Sequence, residues 1–167
     1  DAERQYRRAL EIDDQLFLAR ANLAMLLAGQ GRLAEAERLL REAHAQQPGQ
    51  AGIAFDLGLL LAEVGKEEEA ERMLRAALAA DPAMAPAAYN LSVIVGERRL
   101  PEAVALARRA AALRPEVARY AWTLGFFQAR SGDLAGAAAT LETLLRAHPG
   151  YADASGLLSE VYARQGR

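Results

Sequence analysis

An all-α fold of stacked antiparallel helix pairs is predicted by three observations. One design of about 34 residues recurs along the chain, the signature of a helical repeat array. Within each copy, apolar residues return at i, i+3, i+4 and i+7 on two consecutive segments. The joins carry helix-stopping residues: Pro48, Pro82, Pro115 and Pro149 close successive copies, and Gly31, Gly65 and Gly132 stand at the turn inside them. Proline cannot continue the hydrogen-bond ladder and restricts the residue before it, whereas glycine suits a left-handed helix end.

The copy at 51–84 shows the design most plainly, with two amphipathic segments joined at Gly65 and closed by Asp81-Pro82. Upstream, residues 1–16 match only the second half of a unit. Ala2, Tyr6, Ala9 and Leu10 share one face there, and Asp14 stands where other copies carry proline. Full repeats follow at 17–50, 51–84, 85–117 and 118–151, and 152–167 match the first half of a unit. Ten helices are expected, in a stretch read as excised from a longer array and forming one domain over 1–167.

Particular columns explain why each pair should pack. Leu23, Leu57, Leu91, Leu124 and Leu158 align, each followed by a small residue: Ala24, Gly58, Ser92, Gly125 or Ser159. A small side chain beside a leucine lets neighbouring helices approach closely. In the second helices Ala36, Ala70, Ala103 and Ala137 align, and seven residues later Ala43, Ala77, Ala110 and Leu144. Two departures stand out. Gln128 occupies the column of Leu27, Leu61, Val95 and Tyr162. The third unit is one residue short at GERRLPEA and lacks the turn glycine, with Pro101 expected as the first residue of its second helix.

Composition narrows the function classes. A formal charge of −2 supplies no field for nucleic acid or an anionic membrane, and the arginines are not interleaved with aromatics. Without cysteine there is no thiolate nucleophile or cysteine-ligated metal. His44 and His148 lie three units apart, too few and too distant for a metal site, so no metal or cofactor is expected. Ser92, Ser131, Ser155 and Ser159 have no nearby histidine, and Gly65-Lys66 lacks the first glycine of a phosphate loop. No catalytic residue is assigned. No apolar run is long enough to span a membrane and no signal peptide is seen, which is compatible with cytoplasm or periplasm.

The columns resemble the tetratricopeptide repeat family. Leu57-Gly58, Leu61, Ala70, Leu74 and Pro82 carry the resemblance in the second unit, and Leu124-Gly125, Ala137, Leu141 and Pro149 in the fourth. It implies a right-handed α-solenoid that is a non-catalytic scaffold for protein or peptide partners. It also implies that a second stripe on the first helices lines a concave groove for an extended or helical peptide. That stripe holds Asn22 and Met25; Phe55, Asp56 and Leu59; Tyr89 and Asn90; Arg119, Trp122, Thr123 and Phe126. Phe55, Tyr89, Trp122 and Phe126 would be apolar anchors. The column Asn22, Asp56, Asn90 and Thr123 would be a partial asparagine ladder, interrupted at Asp56 and Thr123. The competing reading is that the aromatics only pack adjacent helices together.

The family's carboxylate clamp is not matched, since only Asn90 and Arg119 fit its columns. The alternative function is self-association through end helices, where Leu157, Leu158, Val161 and Tyr162 are expected to be partly uncovered.

Overall fold

The computed structural model describes residues 2–166, which contain ten helices and no strand. Asp1 and Arg167, the outermost residues of the two half-units, lie outside the described residues. The helices are α1 (Ala2–Ile12), α2 (Phe17–Gly29), α3 (Leu33–Gln46), α4 (Ala51–Glu63), α5 (Glu67–Ala80), α6 (Ala85–Val95), α7 (Leu100–Leu113), α8 (Ala118–Ser131), α9 (Leu134–Ala147) and α10 (Ala152–Arg164). They fall into two units, the first ending at Pro82 and the second beginning at Ala83.

The joins follow from local backbone chemistry. Gln47, Asp81, Arg114 and His148 precede the four closing prolines, and each has left the helical region, with φ between −138° and −132° and ψ between 72° and 93°. A following proline disfavours the helical conformation at the residue before it, and the helix ends there. Gly31, Gly65 and Gly132 have φ of 79°, 78° and 88°, the left-handed turn expected of them.

The third unit makes its turn differently. Gly96 keeps a right-handed backbone (φ −58°), and the amides of Arg98 and Arg99 both return to the Val95 carbonyl. Gly96 occupies the column of Ala28, Ala62 and Ala129 because a methyl group there would lie 2.6 Å from the ring of Phe127. Pro101 is the second residue of α7 rather than its first, since Leu100 starts the helix in the column where Leu33, Glu67 and Leu134 start the others.

Inside each unit the aligned columns form the core. In the first, Leu23, Leu27, Leu40, Leu57, Leu61 and Leu74 are fully buried, with Ala36, Ala43, Ala70 and Ala77 between them. A Cβ on Gly58 would sit 2.9 Å from Cγ of Leu74, and one on Gly125 of the second unit 2.9 Å from Cγ of Leu141. The small residue after each column leucine is thus the floor on which the partner helix rests its own leucine. Helices of 11–14 residues are marginal alone, and among the described residues only Asp133 caps a helix N-terminus with its side chain. Packing therefore holds them.

In the second unit Ala129, Ala137, Ala138, Leu141, Leu144, Ala154 and Val161 make one cluster. Val161 is wholly buried, against the expectation that it would be partly uncovered, because α10 turns it onto α9. Leu157, Leu158 and Tyr162 are half-buried, and the Tyr162 hydroxyl donates to Glu142 at 2.6 Å.

A charge pattern also repeats with the unit. Arg7 of α1 pairs with Glu35 of α3 (2.8 Å), and Arg32 reaches back to Glu3 (2.9 Å). One unit later the same columns pair Arg41 with Glu69 (2.7 Å) and Lys66 with Glu37 (2.6 Å). Hydrogen bonds from Arg7 and Arg32 lower the carboxyl pKa of Glu3 and Glu35; Lys66 and then Arg41 lower that of Glu37, and Arg41 that of Glu69. A carboxyl depressed in the folded state stabilises the fold above its unfolded pKa, and that stability is lost as pH falls through the folded value. The urea midpoint is therefore expected to decline as pH falls below about 4.5, and molar salt should shrink that dependence because the groups are solvent-facing. A midpoint that is flat with pH would show that the quartets do not contribute.

Candidate functional site

The first helices of each pair bury one stripe and leave another reaching solvent. In the first unit, α2 exposes Leu18, Asn22 and Met25 (42% exposed) at helical spacing. One repeat later α4 presents Gly52, Phe55, Asp56, Leu59 and Glu63 in equivalent positions, and the two helices touch. Phe55, Asp56 and Leu59 are half-buried. Burial pushes the Asp56 carboxyl above its ordinary pKa, and among the described residues no hydrogen bond or ion pair reaches it.

The second unit is richer in rings. Tyr89 of α6 stacks on Tyr120 of α8, with centroids 5.0 Å apart. Trp122 stacks on Phe126 at 5.5 Å and packs on the α9–α10 cluster, while Phe126 meets Phe127 at 5.5 Å. Arg130 lies 5.6 Å above the Phe126 ring. Its guanidinium donates to both oxygens of Glu97 at 2.6 and 3.1 Å, which lowers the Glu97 pKa. The indole N–H of Trp122 is buried and has no acceptor.

Not every stripe residue keeps the part expected of it. Thr123 is only 4% exposed and its hydroxyl donates to the Arg119 carbonyl, so it cannot serve as a rung of an amide ladder. It is buried next to Leu124, the column leucine of its helix. The Asn90 amide nitrogen donates to the Pro86 carbonyl at 2.8 Å, engaging one of its donors within its own helix. Asn22 and Arg119 are exposed.

Val93 follows Asn90 on the same face and is 51% exposed. Tyr120, Phe127 and Arg130 were not singled out by the columns. Tyr120 replaces Ile53 and Ala87 at a core position, and its only signal was a ring where the other copies have aliphatics.

Gln128, the odd member of a leucine column, is buried and satisfied. Its amide donates to Asp133 at 3.2 Å and accepts from the Thr140 hydroxyl at 2.8 Å. Among the described residues no three His, Asp or Glu side chains are grouped to hold a metal, and no helix is long and apolar enough to cross a membrane. His148 lines a recess of about 380 Å³ between α7, α8 and α9, otherwise walled mainly by small residues such as Ala111, Ala121 and Ala139.

A tetratricopeptide repeat model matches residues 27–93 and 128–167. Among solved structures the chain is similar to YrrB, described as a TPR protein with an unusual peptide-binding site. The TM-score is 0.89 at 22% identity, covering 96% of this chain and 84% of that one. It is also similar to MamA from Desulfovibrio magneticus RS-1 (TM-score 0.78, 22% identity, 89% and 85% covered). A third likeness is to pilF of Pseudomonas aeruginosa (0.74, 22%, 91% and 70%). Identities this low bear on fold. No curated protein matches the chain.

Proposed function

Since this chain belongs to the tetratricopeptide repeat family, whose members act as protein-interaction scaffolds, we propose that it is a non-catalytic scaffold holding a peptide or protein segment along the solvent-reaching stripe of its first helices, in the concave groove of the repeat. One observation carries the reading. Met25 and Val93 occupy the same column of their repeats and remain 42% and 51% exposed, although the core does not use them. Between them in the column order comes Leu59, and after them Phe126, both half-buried. An apolar column exposed at two repeats and half-buried at the other two suits anchor residues of a partner. The peptide-binding site ascribed to YrrB is in keeping with this use of the fold.

The test begins with peptides selected from a phage-displayed library and titrated by fluorescence anisotropy. Met25→Glu and Val93→Glu are expected to weaken binding at least tenfold with unchanged helicity, because both side chains already meet water. Arg108→Ala on α7 should leave it unchanged. If Arg108→Ala weakens binding and the stripe substitutions do not, the groove reading fails.

A second reading, self-association, is favoured by Ile12, Leu16 and Leu18, which are exposed at the α1–α2 join. Light scattering after size exclusion separates the two, since a monomer that binds peptide supports the groove.

A further inference from the structure

We propose that Asp56 selects a lysine or arginine side chain on the bound segment, an inference that rests on the groove reading and names the chemistry of its ligand. The half-buried acids Glu3, Glu35, Glu37, Glu42, Glu69 and Glu71 of the first unit each face an arginine or lysine. Asp56 is as withdrawn from water and faces none among the described residues. Its neighbours on the stripe are Phe55 and Leu59, which cannot replace the hydration it has lost.

Neither first helix of this unit offers it a cation. Asp56 and Glu63 are the only charged residues of α4. On α2 the only charge is Arg20, whose guanidinium is taken by Glu42 (3.4 Å) and the Asp14 carbonyl (2.8 Å). An uncompensated carboxylate in an apolar frame, on a stripe of α2 and α4 that is otherwise neutral or acidic, complements a long side chain with a cationic tip. The aliphatic stem would lie on Leu59 and Met25, while the ammonium or guanidinium meets the carboxylate in a charge-assisted hydrogen bond. Burial raises the Asp56 pKa, consistent with a charge that awaits a partner.

The probe is a set of end-blocked heptapeptide pools, Leu-Z-Leu flanked by randomised Ala, Ser and Gly. Z is Lys, Arg or their neutral counterparts norleucine and citrulline, and binding is read by fluorescence anisotropy. Cationic pools are expected to bind about tenfold more tightly. Asp56→Asn should erase that difference, leave the neutral pools unchanged and raise Tm, because an unpaired half-buried charge is removed. Asp56→Lys should move the preference to Z = Glu.

Equal binding of cationic and neutral pools, or a preference that survives Asp56→Asn, overturns the inference. If those pools still lose affinity on Val93→Glu, the groove reading stands without it. Absence of binding by every pool overturns both.

Discussion

Leu74→Ala is expected to destabilise the first unit by about 2–5 kcal/mol, and a second alanine placed opposite should give part of that back. Leu74 is fully buried, so truncation removes transfer energy and leaves a cavity that the surrounding helices only partly close. Its Cγ rests where a Cβ on Gly58 would be, 2.9 Å away, with the Leu74 backbone nitrogen at 3.3 Å from the same point.

Gly58→Ala in the native background therefore sets a helix-propensity gain of roughly 1 kcal/mol against an overpacking cost of about 1–3 kcal/mol. Once Leu74 is alanine the collision with its side chain is gone, only the 3.3 Å backbone contact stays tight, and the propensity gain remains. The double variant should be more stable than the sum of the single changes, by a coupling of about 0.5–3 kcal/mol. Urea denaturation of the four proteins measures it. Strict additivity would mean that the two helices are not seated on one another at this point.

The largest functional effect is expected at Trp122. Loss of a central aromatic anchor typically costs 2 kcal/mol or more, about a 30-fold loss of affinity. Trp122→Ala should thus remove micromolar peptide binding. Trp122 also packs on the α9–α10 cluster, so the alanine variant will lower stability as well and needs a control. Trp122→Phe is that control. It keeps a ring to stack on Phe126 and deletes a buried indole N–H that has no acceptor, a group whose burial costs about 1–3 kcal/mol. The phenylalanine variant should melt no lower than the native chain and retain most of its affinity. Affinity unchanged in Trp122→Ala would remove Trp122 from the groove and leave it a packing residue.

The repeat architecture was legible because it is written in period and punctuation. Leucine and alanine columns, closing prolines and turn glycines are local requirements of helix pairs, and each copy states them again. What periodicity could not convey was how a single copy departs from the pattern. The third unit could be read only as short and lacking its turn glycine; Gly96 has a right-handed backbone, and its role is to clear space for Phe127, a residue far along the chain. Gln128 read as a lapse in a core column, whereas Asp133 and Thr140 satisfy it, partners that only the fold brings near.

The stripe was legible as a stripe but not in its polar detail. An asparagine or threonine at a given column can face solvent or bond its own helix, and the spacing is the same in both cases. Thr123 and Asn90 took the second course in whole or in part. That Asp56 is left without a partner while Arg20 is engaged by Glu42 and the Asp14 carbonyl is a matter of which side chains the fold brings together, and no column reveals it.

The recurring charge quartets have a bearing on how such a chain can grow. Glu3, Arg7, Arg32 and Glu35 are matched column for column by Glu37, Arg41, Lys66 and Glu69, so a duplicated or deleted unit in this half meets complementary charges at either seam. A splice out of phase by even one residue would set those charges against the wrong neighbours. Between α7 and α9 the same columns hold Val104, Arg108, Asp133 and Gly136. A side chain at Gly136 would run into the Asp133 carboxylate and the Gln128 amide, so a glutamate cannot be grafted there without dismantling that cap. The half up to Pro82 is built for tandem copying, and the α7–α9 join is a bespoke seam that accepts no interchangeable part.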